Sequence, residues 1–457
     1  MIELSKKPFC LTEKQINNLH EIFNVMSLDE KIGQLFVLLK AIPGVNEELI
    51  KGTLDQFHQG GLRWQGGDKE TVYLQNTTYQ KNSKVPLFVA ANCDDGGIGA
   101  VPEGTFVATA AECGAGEGTE NAYNLGYVSG KEASAIGCNW MFNPVVDVYK
   151  NWRNTIVNTR SFGSEADKVI DNARAYIKGV KAANPNMACT AKHFPGDGVD
   201  MRDQHLVSSV NDLMVDQWDN SYGKIYQTLI DDGVETIMVG HILLPYYTKY
   251  INPEINDEDI LPASMSKEIL SGLLRGKLGF NGMIVTDATA MVGYNVSMPR
   301  NKVIPLTIEN GCDMILFNKN IDEDYQAMKD GIESGLLSIE RLNEAVLRIL
   351  ATKMANGLFE KLNEFHDLSI IGCKEHQELA YQCASEAITL VKNRQDVLPI
   401  SPQKYKKVRI YNLTDKTSGG FKEEGSQRRL EDYLEKLGFD IDVYDYENLN
   451  FYEIFEA

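Results

Sequence analysis

Three observations predict an α/β fold, a (β/α)8 TIM-like barrel followed by a short, incomplete α/β segment. Eight short apolar runs recur over roughly 330 residues, the count a (β/α)8 barrel requires. Each run is bounded by Gly, Pro or Asn and followed by a longer segment of helical period. The polar residues able to carry chemistry collect where the runs end, and barrels build their sites at the C-terminal ends of their strands.

The elements follow in order. Ile16, Leu19, Ile22, Phe23 and Met26 recur at intervals of three and four, which predicts an amphipathic helix over 13–26. Ser27-Leu28-Asp29-Glu30 has the form of a capping box and opens a second, short helix. The apolar runs then fall at 34–41, 60–64, 86–92, 139–148, 187–193, 235–243, 282–287 and 313–317. Helical segments at 168–182 and 265–277 follow the fourth and sixth. A doubly wound parallel sheet is the structural competitor, and strand count favours the barrel.

The chain changes character near 355–376, so residues 1–365 are assigned to the barrel and 366–457 to a linker and a partial C-terminal domain. In the latter, 377–391 predicts a helix, 405–413 a strand, 417–420 a flexible loop and 424–437 a helix. Phe439, Ile441 and Val443 then alternate with Asp440, Asp442 and Tyr444 as a second strand. One βαβ unit cannot bury both faces of its sheet. It must dock elsewhere, form a homodimer, or be the front of a larger domain.

Composition narrows the partners. The chain of 457 residues carries 64 acidic against 45 basic side chains, a formal charge of −19. That balance argues against nucleic acid or anionic membrane, because phosphate binding needs clustered Lys and Arg. Eight cysteines at 10, 93, 113, 138, 189, 312, 373 and 383 contain no CxxC pair, so buried thiols are expected rather than a disulfide framework or a metal site. No signal-peptide core or membrane-length apolar stretch is present, and a cytoplasmic location is the default expectation.

The chemistry concentrates in one loop, Lys192-His193-Phe194-Pro195-Gly196-Asp197-Gly198, with Asp203-Gln204-His205 close behind. A carboxylate two residues before a histidine can hold the imidazole tautomer, and a glycine-rich loop can carry the pair to and from a pocket. Asp287 directly follows the apolar Met283-Ile284-Val285-Thr286 run. Alone it would serve equally as the N-cap of the next helix. Opposite a His–Asp couple it becomes a candidate nucleophile, since retaining glycoside cleavage needs one carboxylate to attack and one acid to protonate the leaving oxygen. His205 is the candidate acid and Asp203 its support, against the bland reading of a solvated loop histidine.

Lys192 and His193 end a buried strand, where an unpaired ammonium is costly. They meet acids such as Asp147, or ligand hydroxyls, or both. Arg160 offers a planar donor fork or an ordinary surface ion pair. Asp94-Asp95-Gly96-Gly97 is either a turn or a place where backbone approaches a sugar closely. His241 ends the sixth run and Asn318 the eighth.

These residues resemble glycoside hydrolase family 3, and within it the β-N-acetylglucosaminidase branch. The likeness is carried by Lys192-His193-Phe194-Pro195-Gly196, Asp203-Gln204-His205, Arg160-Ser161-Phe162-Gly163, Asn143-Pro144-Val145-Val146-Asp147-Val148, and Gly279-Phe280-Asn281-Gly282 leading to Thr286-Asp287, and it covers about residues 25–365. It implies a retaining exo-hydrolase without cofactor or metal. Asp287 would form the covalent glycosyl intermediate, with His205 as acid then base and Asp203 behind it. Arg160, Lys192, His193 and Asp94 would hold the terminal sugar, and His241 is added as a binding candidate from its strand end. The expected substrate is an oligosaccharide, muropeptide or chitin-type glycan. The chain departs from the family at Asp197, where a histidine is usual, and by one extra residue in the stretch containing Asp94. The β-glucosidase branch takes its acid/base from a second domain, so a dyad on the barrel loop favours the glucosaminidase branch.

Four alternatives stand beside that reading: a β-glucosidase or a β-glycoside phosphorylase of the same family, a metal-dependent amidohydrolase, and an inactive glycan-binding protein. The amidohydrolase class needs an HxH pair where this chain has Leu38-Leu39-Lys40-Ala41. The intact Asp203, His205 and Asp287 set argues against the inactive protein.

Overall fold

The computed structural model of the chain describes residues 2–40, 45–64, 67–360, 367–411 and 426–444. Eight parallel strands close a barrel: β1 (Phe36–Lys40), β2 (Gly61–Trp64), β3 (Phe88–Ala91), β4 (Trp140–Met141), β5 (Ala188–Phe194), β6 (Thr236–Val239), β7 (Met283–Ala288) and β8 (Met314–Leu316). The ring closes where Phe36 and Val37 pair with Ile315 and Leu316. Every predicted apolar run therefore contains one barrel strand, and the doubly wound alternative is excluded. In the fourth run only Trp140–Met141 forms regular strand, and the chain beyond it stays tied to β5 by the Val145–Lys192 bridge and the Val146 amide on Lys192 O at 2.7 Å. The sixth run divides: Ile242–Leu243 leaves the barrel and pairs with Ser209–Val210.

Inside the barrel, large rings fill the space that parallel strands leave. Trp140 packs 4.8 Å from Phe88 and 4.7 Å from Phe142, centroid to centroid. Its indole N–H is satisfied by Thr236 Oγ1 at 3.0 Å, which in turn meets Thr190 Oγ1 at 2.7 Å. A buried indole needs such a partner. The interior is thus a packed plug, and any ligand space must lie above it.

The second helix begins at the capping box the sequence predicts, and the first, expected from its apolar spacing, has a capping box of its own. Thr12 and Gln15 form a capping box at Glu13–Asn24, and Ser27 and Glu30 form another at Leu28–Gln34. Ala166–Ala183 covers the segment expected at 168–182, and Glu268–Lys277 forms all but the first three residues of that expected at 265–277; the latter is wound more loosely, its end marked by the Leu278 amide reaching back five residues to Leu273 O at 2.9 Å. All eight cysteines are free thiols, six of them buried. Among the described residues no helix is long and apolar enough to cross a membrane.

By internal contacts the chain forms two compact units, Met1–Ile388 and Thr389–Ala457. The first includes the helix Lys374–Ala387, which is clasped to the barrel's own helices. Its His376 Nδ1 lies 2.6 Å from Oε1 of the fully buried Glu132, which also accepts from the Gly372 amide at 3.0 Å and from Thr105 Oγ1 at 2.7 Å. In the second unit, Lys407–Ile410 (β9) and Asp440–Val443 (β10) pair in parallel, with the helix Ser426–Lys436 between them in sequence. That is the expected βαβ order. The predicted loop 417–420 lies outside the described residues.

The Glu132 clasp sets a stability prediction. Burial pushes its carboxyl up, but the bonds from His376, Thr105 and Gly372 outweigh this, and the net shift is downward from 4.5. A depressed carboxyl stabilises the fold above its unfolded value and loses that contribution as pH falls through the folded value. Glu132→Ala, by orphaning these buried donors, is expected to cost about 3 kcal/mol at pH 7 in urea unfolding. The gap to the unsubstituted protein should narrow steadily below about pH 4. A gap independent of pH contradicts the charged clasp.

Candidate active site

A cavity of about 160 Å³ opens at the C-terminal ends of the strands, lined among others by Asn92, Arg160, Lys192, His193, Gln204, His205 and Asp287. A larger one, about 390 Å³, lies at the opposite end around Arg275, Arg341 and Arg348. There Arg275 and Arg341 already bond Asp313 at 2.6 and 2.7 Å. Barrel chemistry resides at the C-terminal face, so the smaller cavity is the candidate site.

Its floor is a set of acids and bases brought together from the ends of four strands, β3, β4, β5 and β7. The β5 ladder to β6 shifts register between Ala191 and Phe194. Strict alternation fails at such an irregularity, and the consecutive residues Lys192 and His193 both line the cavity. Lys192 Nζ meets Asp94 Oδ1 at 3.1 Å, and Arg160 Nε meets Asp94 Oδ2 at 2.8 Å. Asn143 Nδ2 adds a third donor to Asp94 at 2.6 Å. Burial pushes the Asp94 carboxyl up, yet Lys192, Arg160 and Asn143 overwhelm it and hold it far below the usual carboxylate range. The Lys192 ammonium is shifted down by burial, which Asp94 offsets only in part. The acid that meets Lys192 is therefore Asp94, whereas Asp147 serves His193.

Asp147 Oδ2 lies 2.7 Å from His193 Nδ1, and its Oδ1 accepts the Asp197 amide at 2.7 Å and the His193 amide at 3.3 Å. With Nδ1 bound there, the other ring nitrogen faces Asp287, Nε2 to Oδ2 being 3.9 Å. Asp287 is 7% exposed. Burial raises its carboxyl, but His193, His241, the Ala288 amide at 2.7 Å and His205 outweigh it, and the net shift is downward. A carboxylate kept anionic at the cavity wall suits a nucleophile.

The Asp203–His205 pair sits at the rim. Asp203 Oδ1 takes both the His205 amide at 2.8 Å and His205 Nδ1 at 2.7 Å, leaving Nε2 free of that contact. The imidazole is 46% exposed. The loop leading to it is packed closely at its root: Gly196 has φ +117°, and a Cβ there would stand 2.1 Å from the Tyr222 ring. Only glycine fits that approach. Asp197, in the position where the family carries histidine, is buried beside Asp147 and accepts Asn154 Nδ2 at 2.9 Å; burial and then Asp147 push it up to about 6.

The structure thus gathers Asp287, His205, Arg160, Lys192 and His193 around one cavity, with Asp94 and Asp203 directly bonded to members of that group. His241 is placed differently. It is fully buried, outside the cavity lining, with Nδ1 2.8 Å from Ser264 Oγ and Nε2 3.1 Å from Ala288 O. Burial first, and its histidine neighbours last, drive it down to about 4, so it is neutral and props the loop after β7. Asn318 also faces a structural partner, Asp324, at 2.9 Å. Sequence reasoning missed Asn143 and Gln204 as site residues. Asn143 bonds both Asp94 and the Cys93 amide, and its only signal was its place in the Asn143-Pro144 stretch at the end of β4.

A parallel eight-stranded barrel with a carboxylate nucleophile candidate on β7 and a His–Asp pair on the β5 loop defines a glycoside-cleaving type of site. The profile described as Glycosyl hydrolase family 3 N terminal domain matches residues 27–352, and the chain belongs to that family. It is 40% identical to the Beta-N-acetylglucosaminidase/beta-glucosidase of Cellulomonas fimi, over 96% of this chain and 78% of that protein. Beta-hexosaminidase A of Pseudoalteromonas piscicida is 29% identical over 72% of this chain and 57% of its own length. Among solved structures, Beta-glucoside phosphorylase BglX bound to 2FGlc is similar with a TM-score of 0.90 and 41% identity, covering 98% of this chain and 80% of that one.

The Asp94–Lys192 pair generates a prediction. Lys192 is 1% exposed, and removing its counter-charge strands a buried cation. Asp94→Ala should lower the unfolding free energy by about 3 kcal/mol. Adding Lys192→Met should recover most of that loss, as a double-mutant cycle would read it. Additive losses contradict the coupling.

Proposed function

We propose that this protein cleaves terminal β-glycosides, β-N-acetylglucosaminides foremost and β-glucosides as well, by double displacement with retention of configuration. Asp287 attacks the anomeric carbon and forms a glycosyl-aspartate, while His205 Nε2 gives its proton to the leaving oxygen. The observation that carries this reading is that the anionic Asp287 and the Asp203-backed His205 line the same cavity. Asp203 holds the tautomer that leaves Nε2 available. Lys192, His193 and Arg160 supply the cations and donors for the sugar's hydroxyls, and Asp94 organises two of them. The small volume suits one ring at a chain end, hence exo-action. The sugars are taken from the name of the Cellulomonas fimi relative.

In the second step the histidine, now neutral, takes a proton from a water whose oxygen bonds to the anomeric carbon, the bond from that carbon to Asp287 breaks, and the sugar leaves with Asp287 again a carboxylate. A second reading, with phosphate as acceptor, is favoured by the 41%-identical phosphorylase structure. It is chemically consistent, because a neutral imidazole repels an approaching anion less than a carboxylate base would, and Lys192 and Arg160 stand nearby. The hydrolytic reading keeps first place on the relatives named as a glucosaminidase/glucosidase and a hexosaminidase.

A panel of nitrophenyl β-glycosides, run with and without phosphate, tests both. N-acetylglucosaminide and glucoside should be turned over with free sugar as product. Sugar 1-phosphate appearing only with phosphate transfers the assignment to phosphorolysis. Asp287→Ala should reduce either reaction on the order of 10⁴-fold or more while circular dichroism stays unchanged. Substantial residual turnover in that variant removes Asp287 as nucleophile.

A further inference from the structure

Gln204 lies between the two dyad residues in sequence and touches two other loops of the cavity mouth as well as the root of its own. Its side-chain carbonyl accepts the His241 amide at 2.7 Å, and its side-chain amide points to Asp197 Oδ2 at 3.5 Å. Its backbone carbonyl accepts the Gly293 amide at 3.0 Å, and the next carbonyl, that of His205, accepts the Val292 amide at 3.0 Å. Asp197 follows β5, His241 follows β6, and Val292 and Gly293 follow β7, the strand that carries Asp287. The approach to the last of these is tight: a Cβ on Gly293 would stand 2.8 Å from Gln204 O.

Gln204 is 1% exposed, whereas the His205 side chain is 46% and the Asp203 side chain 21% exposed. Among the described residues, the hydrogen bonds of the two dyad side chains run between Asp203 and His205. Their placement above Asp287 therefore depends on the residue that joins them. We propose that Gln204 is the positioning residue of the dyad: it seats the Asp203–His205 pair over Asp287, with Asp197 as the anchor of its amide. This inference rests on the acid/base reading given above.

The chemistry of the socket explains why an amide is needed. One side offers a backbone N–H and requires an acceptor. The other offers a buried carboxylate and requires a donor. Glutamate supplies the acceptor but sets a second carboxylate against Asp197; leucine supplies neither. The Asp197 end can be inverted without changing volume. Asp197 Oδ1 accepts from Asn154 Nδ2 at 2.9 Å and from the Gly198 amide at 2.6 Å. An asparagine there must keep its carbonyl on those donors, which turns its own amide toward the Gln204 amide, donor against donor.

Loosening the seat should harm only what needs the proton. Gln204→Leu and Gln204→Glu are expected to lower kcat/KM about 100-fold on an alkyl β-glycoside, whose leaving oxygen must be protonated. On a dinitrophenyl β-glycoside, which departs unprotonated, the loss should stay below about threefold. Asp197→Asn should show the same split at about tenfold on the alkyl substrate, and it serves if the Gln204 variants fail to fold. His205→Ala is the reference. If it shows the split while every folded Gln204 and Asp197 variant loses equally on both substrates, Gln204 merely supports the fold and the proposal is overturned. If His205→Ala itself loses equally on both, the acid role assigned to the dyad has failed, and the positioning proposal falls with it.

Discussion

One buried carboxylate fixes the geometry of the mouth. Asp147 binds the His193 ring through Oδ2 and the backbone amides of His193 and Asp197 through Oδ1. A carboxylate can accept several donors at once, and here it uses that capacity to join the end of β5 to the loop after β4. The His193 imidazole is turned so that its second nitrogen faces Asp287. The chain is also released toward Asp203 and His205 from a fixed starting point, reinforced where Trp218 Nε1 donates to Pro195 O at 2.8 Å and Asn211 Nδ2 to Gly196 O at 3.0 Å. Unseating Asp147 would disturb His193 beside Asp287 and the root of the loop that carries Asp203 and His205 together.

The barrel was legible in the sequence because its determinants are local. Buried parallel strands read as short apolar runs, and a helix start reads as a cap at Ser27 with Glu30. The strand-end placement of Asp287, Lys192 and His193 was legible for the same reason, since position on a barrel strand dictates which end a residue reaches. Partnerships across the mouth were not legible. Nothing in the order of residues says that Lys192 chooses Asp94, 98 positions away, over Asp147. Nor does it say that His241, at a strand end like the others, spends both nitrogens on Ser264 and Ala288. Those outcomes depend on which loop folds over which, a long-range property. Departures from local pattern hid others: the register shift after Ala191 that turns adjacent residues to one cavity cannot be read from an alternation rule.

Charge is distributed unevenly around the cavity, and the distribution has a chemical sense. The acids nearest the floor, Asp94 and Asp147, are saturated with donors and unavailable for reaction. Asp287 is the exception. It has one backbone amide at 2.7 Å and a ring nitrogen at 3.9 Å, so its second oxygen is held by charge rather than by a close bond. An attacking carboxylate must be ionised yet not tightly hydrogen-bonded, because each short bond to it would have to be given up in forming the glycosyl ester. His193, with the Ala288 amide, meets the first requirement, while Lys192 and Arg160 spend their hydrogen bonds on Asp94.

The dyad follows a different logic. Its imidazole is nearly half exposed, and its orientation comes from a neighbouring carboxylate rather than from burial. Exposure leaves the ring within reach of solvent and of a ligand in the cavity, which suits a group proposed to give a proton and then take one. The cost of exposure is imprecision, since a rim side chain packs against little. Rigidity is therefore supplied one residue away, where Gln204 is buried among the loops after β5, β6 and β7. Separating the group that reacts from the group that holds lets the ring remain in water while its backbone remains fixed. That division also explains why an Asp-x-His spacing suffices here: the two flanking side chains need only each other, and the residue between them carries the attachment to the barrel.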